Sequence, residues 1–277
     1  MSKVLLITGG SRGIGAATAL LAAKQGFDIA ISYRSNHEEA QRVVQAVEQL
    51  GQQAIAIQAD VRDPLAIEAL FNAVDQRFGR LDALVNSAGI GWIGRVDTIT
   101  PAELQDLFAT NVFGSVLASR EAIKRLSLHH GGQGGVIINL SSMAATIGGR
   151  PGASLYAASK AAIDAFTTGL AKEVAAEGIR AIAVRPGFTS TDMTQASIED
   201  PLVAATITGT IPLGRAAQVE EIARPIVWLL SDDASFVTGA HLDISGGGFL
   251  VGGRFLPFTQ QRQHTATSDA VTSTLTA

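Results

Sequence analysis

Seven short apolar runs, each separated from the next by a longer intervening segment, limit this chain to a small set of folds. They are VLLIT (4–8), DIAISY (28–33), AIAIQA (54–59), LDALVN (81–86), GVIINLS (135–141), RAIAVRP (180–186) and HLDIS (241–245). Near-continuous runs of this kind, rich in β-branched residues, suit strands covered on both faces. Helical patterns lie between them at 14–25, 36–50, 64–78, 101–128, 155–177 and 218–231. Strands alternating with helices imply an α/β fold: a doubly wound, mostly parallel seven-stranded sheet with helices on both faces. Ligands in such sheets bind beyond the carboxyl ends of the strands, so the residues just after each run come first.

The chain has 277 residues, 47% hydrophobic and 17% charged, which is enough for a large core. Its 21 basic and 25 acidic residues leave a net charge of −4, without the electrostatic footprint of a nucleic-acid or anionic-membrane binder. There is no cysteine, which excludes disulfides, thiolate metal sites and a cysteine nucleophile and fits a reducing cytoplasm. The histidines lack metal-ligand spacing, and no metal is expected. The first apolar run is too short for a secretory signal and no stretch reaches the length of a membrane span, so the expectation is a soluble, cytoplasmic protein. After SGGG (245–248) the character changes twice: 249–258 are apolar and aromatic, and 259–277 are Ser/Thr-rich. The first part is expected to dock at a subunit contact or against the substrate lid, the second to be disordered.

TGGSRGIG (8–15) follows the first strand directly and opens an alanine-rich helix. Gly9, Gly13 and Gly15 permit a tight turn and leave amide N–H groups at a helix N-terminus for a pyrophosphate. The spacing is GxxxGxG rather than GxGxxG, so its place at the first strand tip carries the reading over a purely structural turn. At the second strand tip a carboxylate would hold a ribose 2′-hydroxyl and an arginine a 2′-phosphate. ISYRSN (31–36) has no acidic residue there; Tyr33 and Arg34 occupy the tip, and Arg12 can reach the same phosphate. NADP(H) is expected over NAD(H), unless Arg34 is only a solvated loop charge.

LYAASKAAIDAF (155–166) holds one of the chain's two tyrosines, with Lys160 four residues after Tyr156. On a helix the two share a face, where an ammonium beside a phenol favours its ionised form. Ser141 and Ser142 stand at the tip of the VIINL strand, and NVFG (111–114) interrupts the long helical region. Together they supply a hydroxyl, an amide and a phenol–ammonium pair.

TGGSRGIG, ADV (59–61), NSAG (86–89), Asn111, the second serine of LSS, YAASK (156–160) and RPGFTSTDM (185–193), in this order, resemble the short-chain dehydrogenase/reductase superfamily over residues 3–248. The resemblance implies a single Rossmann-type domain over 1–248 with an integrated substrate lid, a loop and one small helix, at about 188–214, and an extension at 249–277. It implies NADPH-dependent hydride transfer to or from a carbonyl or secondary alcohol, with Asn111, Ser142, Tyr156 and Lys160 as the catalytic tetrad. Tyr156 would be the acid/base, Ser142 a second donor, Lys160 the pKa modifier that also holds the nicotinamide ribose, and Asn111 the holder of a proton-returning water. Cofactor contacts implied are Gly9, Ser11, Arg12, Gly13, Ile14, Gly15, Tyr33, Arg34, Asp60, Val61, Asn86, Ala88, Gly89, Tyr156, Lys160, Pro186, Gly187, Thr189 and Thr191, with Asp60 on adenine and Thr191 on the carboxamide. Ser87 departs from the pattern, which more often has a second asparagine. A homotetramer built partly on 101–128 and 155–177 is implied as well.

Within the superfamily, GFTSTDMT (187–194) and LAKEV (170–174) look closest to 3-oxoacyl-[acyl-carrier-protein] reductase, with glucose 1-dehydrogenase-like members nearby. An acidic carrier needs basic residues near the active-site rim. RLSLHHGGQGG (125–135) offers histidines and glycines where that reductase carries arginine, so a small free substrate is expected at least equally. Met143, Ile147, Phe188 and Met193 are candidate walls of the substrate pocket. A cofactor-sensing binding protein without turnover is the alternative of another class; it would be favoured by loss of a tetrad member, and none is lost.

Overall fold

In the computed structural model β1 (Val4–Thr8) leads into α1 (Gly13–Lys24), β2 (Asp28–Tyr33) into α2 (His37–Gln49), and β3 (Ala54–Gln58) into α3 (Pro64–Phe78). β4 (Ala83–Asn86) is followed by α4 (Pro101–Phe108), a π-helical turn (Ala109–Phe113) and α5 (Gly114–Leu126). β5 (Gly135–Leu140) is followed by the short α6 (Ala144–Ile147) and the long α7 (Ser154–Val174). β6 (Ile179–Pro186), α8 (Gln195–Glu199), α9 (Pro201–Thr208), α10 (Val219–Leu230) and β7 (His241–Ile244) complete the order. The structure describes residues 2–248; the expected docking of 249–258 and disorder of 259–277 lie outside the described residues.

The seven strands form one sheet in the order β3-β2-β1-β4-β5-β6-β7. Every neighbouring pair is parallel, so the mostly parallel expectation becomes an entirely parallel sheet. Successive strand residues face opposite sides. In β1, Leu5 and Ile7 pack with Ala19 and Ala23 of α1, Val47 of α2 and Ile226 of α10. Val4 and Leu6 point the other way and pack with Phe71 of α3, Ala118 of α5 and Leu170 of α7. Two cores therefore sandwich the sheet, and truncating one of these fully buried leucines to alanine would cost about 2–5 kcal/mol.

Local chemistry sets the helix ends. The Asp63 carboxylate accepts from the Leu65 amide, Pro64 fills the first turn of α3, and Gly79, with φ of 69°, ends it in the left-handed region. Two expectations are refined. The helical pattern over 101–128 is three pieces, with the π turn placing Asn111 between α4 and α5. The lid segment carries two short helices rather than one, because Asp200 is extended before Pro201 and caps α9 through the Leu202 and Val203 amides.

The chain winds outward from β1 through β2 to β3, then returns to place β4 on the other side of β1. A cleft opens at such a switch point, beyond the carboxyl ends of the strands. No helix among the described residues is long and apolar enough to cross a membrane.

Candidate active site

The β1 tip passes into α1 through a turn with no room for side chains. A Cβ on Gly9, whose φ is +66°, would lie 2.8 Å from Ala88 Cα, and one on Gly15 would lie 2.5 Å from the Gly9 carbonyl oxygen. Gly10, which the sequence reading passed over, is as constrained: its Cβ would meet Ile31 Cγ2 at 2.5 Å. Ser11 is buried, Ile14 packs on the core, and no side chain caps the first turn of α1. Its amide groups can therefore serve an anion, and this glycine cradle fits the pyrophosphate of a dinucleotide.

At the β2 tip, Tyr33 is buried, its hydroxyl 2.6 Å from His37 Nδ1. Arg34 is exposed, and its guanidinium forms no ion pair among the described residues. Arg12, by contrast, reaches across to Asp192 at 3.0 Å, each side chain about two-thirds exposed. Such a pair is worth about 0–1 kcal/mol and can readily exchange for a phosphate. Beyond β3, Val61 is buried and the Asp60 carboxylate is gripped by Arg62, which also binds Asp106 at 2.9 Å. The guanidinium holds Asp60 below the usual carboxylate range.

A polar ladder runs beneath the β4 and β5 tips. Asn86 Nδ2 donates to Asn139 Oδ1 at 2.9 Å, and Asn139 Nδ2 donates to Thr167 Oγ1 of α7, also at 2.9 Å. Ser87 and Ala88 donate their amides to Thr8 Oγ1, so the unusual serine keeps its place through its backbone. A Cβ on Gly89 would lie 3.4 Å from Asn111 Oδ1 and 3.5 Å from Lys160 Nζ, so the backbone there runs close beside both.

The four expected catalytic residues converge there from three elements. Asn111, in the π turn, accepts from the Ile90 amide at 2.8 Å and donates to the Ile90 carbonyl at 2.9 Å and to Ser159 Oγ at 3.0 Å. Ser159 in turn donates to the Tyr156 carbonyl at 2.7 Å, a brace absent from the sequence reading. Ser142, following β5, accepts from the Ala144 amide at 3.1 Å, and its side chain acts on the Tyr156 phenol in the direction that favours ionisation. Lys160 is 5% exposed, donates to the Leu140 carbonyl at 2.8 Å and lies 5.9 Å from the Tyr156 ring centre.

Burial pushes the Tyr156 phenol up from its ordinary value, with the Ser142 side chain pulling the other way. Burial also pushes the Lys160 ammonium down to about 8, opposed by Asp164. In the protein alone desolvation dominates, so Tyr156 is kept as a proton donor.

Pro186, the last residue of β6, is buried, and Gly187 is pressed against β7, its amide donating to the Ile244 carbonyl at 2.8 Å. Thr189 is buried, and the Thr191 methyl faces Gly13, 3.6 Å from the Cβ that glycine lacks. Segment 188–214 thus reaches over the glycine loop. Met143 is buried and Phe188 half-buried, whereas Ile147 and Met193 are exposed. RLSLHHGGQGG precedes β5 and so lies at the opposite end of the strand from Ser142. Its composition consequently bears neither on this subunit's own active-site rim nor on whether the substrate is carried by a protein. Among the described residues no cluster could hold a metal ion.

Residues 9–248 match the protein family described as enoyl-(acyl carrier protein) reductase. The chain is 48% identical over 246 residues, 88% of its length and 99% of the relative's, to the uncharacterized oxidoreductase YgfF of Escherichia coli. It is 37% identical over 250 residues, 90% of this chain and 99% of the other, to a 3-oxoacyl-[acyl-carrier-protein] reductase of Staphylococcus aureus. It is also similar to the crystal structure of a short chain dehydrogenase from Burkholderia cenocepacia in complex with NADP, with a TM-score of 0.81, 37% identity, and 88% and 96% of the two chains covered.

Proposed function

Because this chain belongs to the short-chain dehydrogenase/reductase superfamily and is an oxidoreductase, we propose that it reduces the carbonyl group of a small molecule with NADPH. The observation that carries this reading is the convergence of Ser142, Tyr156 and the buried Lys160 at the carboxyl end of the sheet, next to an uncapped glycine cradle. The nicotinamide, when bound, supplies the hydride. The chain's own residues handle the oxygen and its proton. Charge develops on a carbonyl oxygen as its carbon is reduced, and donors aimed at that oxygen stabilise it. Ser142 contributes one hydrogen bond and Tyr156 the proton, a transfer for which its raised pKa keeps it loaded. Lys160 provides positive charge behind the phenol, favouring its return to phenolate in the oxidative direction. Asn111 fixes the loop at Ile90 and, through Ser159, the turn of α7 that carries Tyr156, while its segment is the proposed site of a proton-returning water.

The phosphates and ribose are assigned to Gly9, Ser11, Gly13, Ile14, Gly15, Asn86, Ala88, Gly89 and Lys160, adenine to Asp60 and Val61, and the carboxamide end to Pro186, Gly187, Thr189 and Thr191. Preference for NADPH is supported by the exposed Arg34 at the β2 tip, which forms no close ion pair among the described residues, and by Arg12, whose bond to Asp192 is exposed. Tyr33 contributes through its backbone, since its ring and hydroxyl are turned to His37. Residues 188–214 serve as the substrate lid of one domain spanning 1–248, in a cytoplasmic homotetramer assembled partly on α4, α5 and α7.

A screen of NADPH oxidation over acyl thioesters, sugars, diketones and aldehydes tests the reading. Turnover confined to carrier-bound 3-oxoacyl thioesters would favour the carrier-dependent reductase. NADPH binding with no turnover on the whole panel would favour the cofactor-sensing protein.

A further inference from the structure

The polar chain behind the phenol does not end at Lys160. Asp164 lies one turn further along α7, so that Tyr156, Lys160 and Asp164 take positions i, i+4 and i+8 on one face. The aspartate is 7% exposed. Its Oδ2 accepts from Arg185 Nε of β6 at 2.8 Å, and its Oδ1 has no hydrogen-bond partner among the described residues. Arg185 is opposed across the sheet by Asp243 of β7, with 3.4 Å between their charged atoms. His241, also on β7, meets the Asp164 carbonyl at 3.2 Å and Thr168 Oγ1 at 3.1 Å, on the side away from Lys160. A buried ion pair is a poor source of stability, since apolar replacements are often neutral or favourable. Its placement one turn behind a buried catalytic lysine calls for another account.

We propose that Asp164, held by Arg185, is a positioning residue that keeps Lys160 in its ammonium form behind Tyr156. The neighbours of the lysine on other elements, the Leu140 carbonyl of β5, Gly89 and Asn111, carry no net charge. Asp164 is thus the carboxylate that counters the desolvation of the ammonium. The role rests on the reading of Tyr156 and Lys160 as the proton-transfer pair.

The test is a titration of the full chain, labelled with ¹⁵N- and ¹³C-lysine and followed by NMR, in which Lys160→Met assigns the signal. It needs no substrate. Asp164→Asn is expected to shift the Lys160 titration to lower pH by about one pH unit, the lower range for loss of a nearby opposite charge. The high-pH limb of NADPH-dependent turnover should move by the same amount, because the charged lysine is lost sooner as pH rises. Asp164→Asn with Arg185→Met removes both charges of the pair and should bring titration and limb part-way back; this double variant also stands in if the single variant fails to fold. An unchanged Lys160 titration in either variant series overturns the proposal, as does a pH-independent loss of turnover with the limb in place. If the wild type reduced no carbonyl, the proposed function would fall, while the titration would still decide whether Asp164 controls the lysine's charge.

Discussion

Tyr156 is held between two opposed influences: burial, which keeps its proton on, and the Ser142 side chain, which eases it off. Replacing it by phenylalanine removes the proton and leaves the ring, so kcat should fall by about 10²–10⁴ with little change in NADPH affinity; stopped-flow turnover and fluorescence titration of the same preparation check both halves. Lys160 sets a second expectation. Its pKa is pushed down to about 8 and its charged form is the useful one, so kcat/KM for NADPH should fall as pH rises through about 8, with Tyr156 still protonated in that range. A profile flat up to pH 10 would show that the lysine's charge is not needed. Arg34 gives a third: its alanine variant should lose about 1.5–3 kcal/mol of NADPH affinity and almost none for NADH, and equal losses for both would return Arg34 to a solvated loop charge. Tyr156, Lys160, Ser142 and Asn111 were legible because their order along the chain is distinctive. Ser159, Asp164 and Gly10 were not, because a serine, an aspartate or a glycine in a helix or turn has no pattern of its own until the fold shows what it touches.

At the scale of elements, the alternation of apolar runs and helical periods was enough to locate all seven strands. The breaks inside the helical stretches were harder. NVFG (111–114) marks an interruption in 101–128, but the form it takes, a widening to a π turn at 109–113, is a backbone event that hydrophobic spacing does not register. It matters because it carries Asn111, whose side chain spends its hydrogen bonds on Ile90 and Ser159. The paired helices of 188–214 had a readable signal in DP at 200–201, where a cap and a proline restart a helix. The glycine turn makes the most restrictive element. Gly15→Ala would drive a methyl group to 2.5 Å from the Gly9 carbonyl, backbone that cannot swing aside. Overpacking of this kind costs about 1–3 kcal/mol. The variant should melt earlier and bind NADPH more weakly, as calorimetry and fluorescence titration would register; wild-type values for both would mean that the loop is softer than its geometry implies.

For the whole molecule, the proposed cofactor site draws on the tips of β1, β2, β3, β4 and β6, so a ligand that fills it ties together segments distant in sequence. NADPH at about 100 times its Kd should add roughly 2.7 kcal/mol to stability, raising Tm by about 5–10 °C for a chain of this size. NADH at the same concentration should do less, and differential scanning calorimetry compares them directly. The order of the strands carries a further consequence, concerning time. β1 is complete at residue 8, yet the strand that seals the middle of the sheet beside it, β4, begins at residue 83. Two whole strand-and-helix units must be wound aside before that central seam can close, and the entropy of bringing such distant segments together is spent before any contact repays it. Refolding from denaturant should therefore take milliseconds to seconds rather than microseconds. NADPH in the refolding buffer should leave that phase unhurried, because the crevice that recognises it comes into being only when β1 and β4 have met.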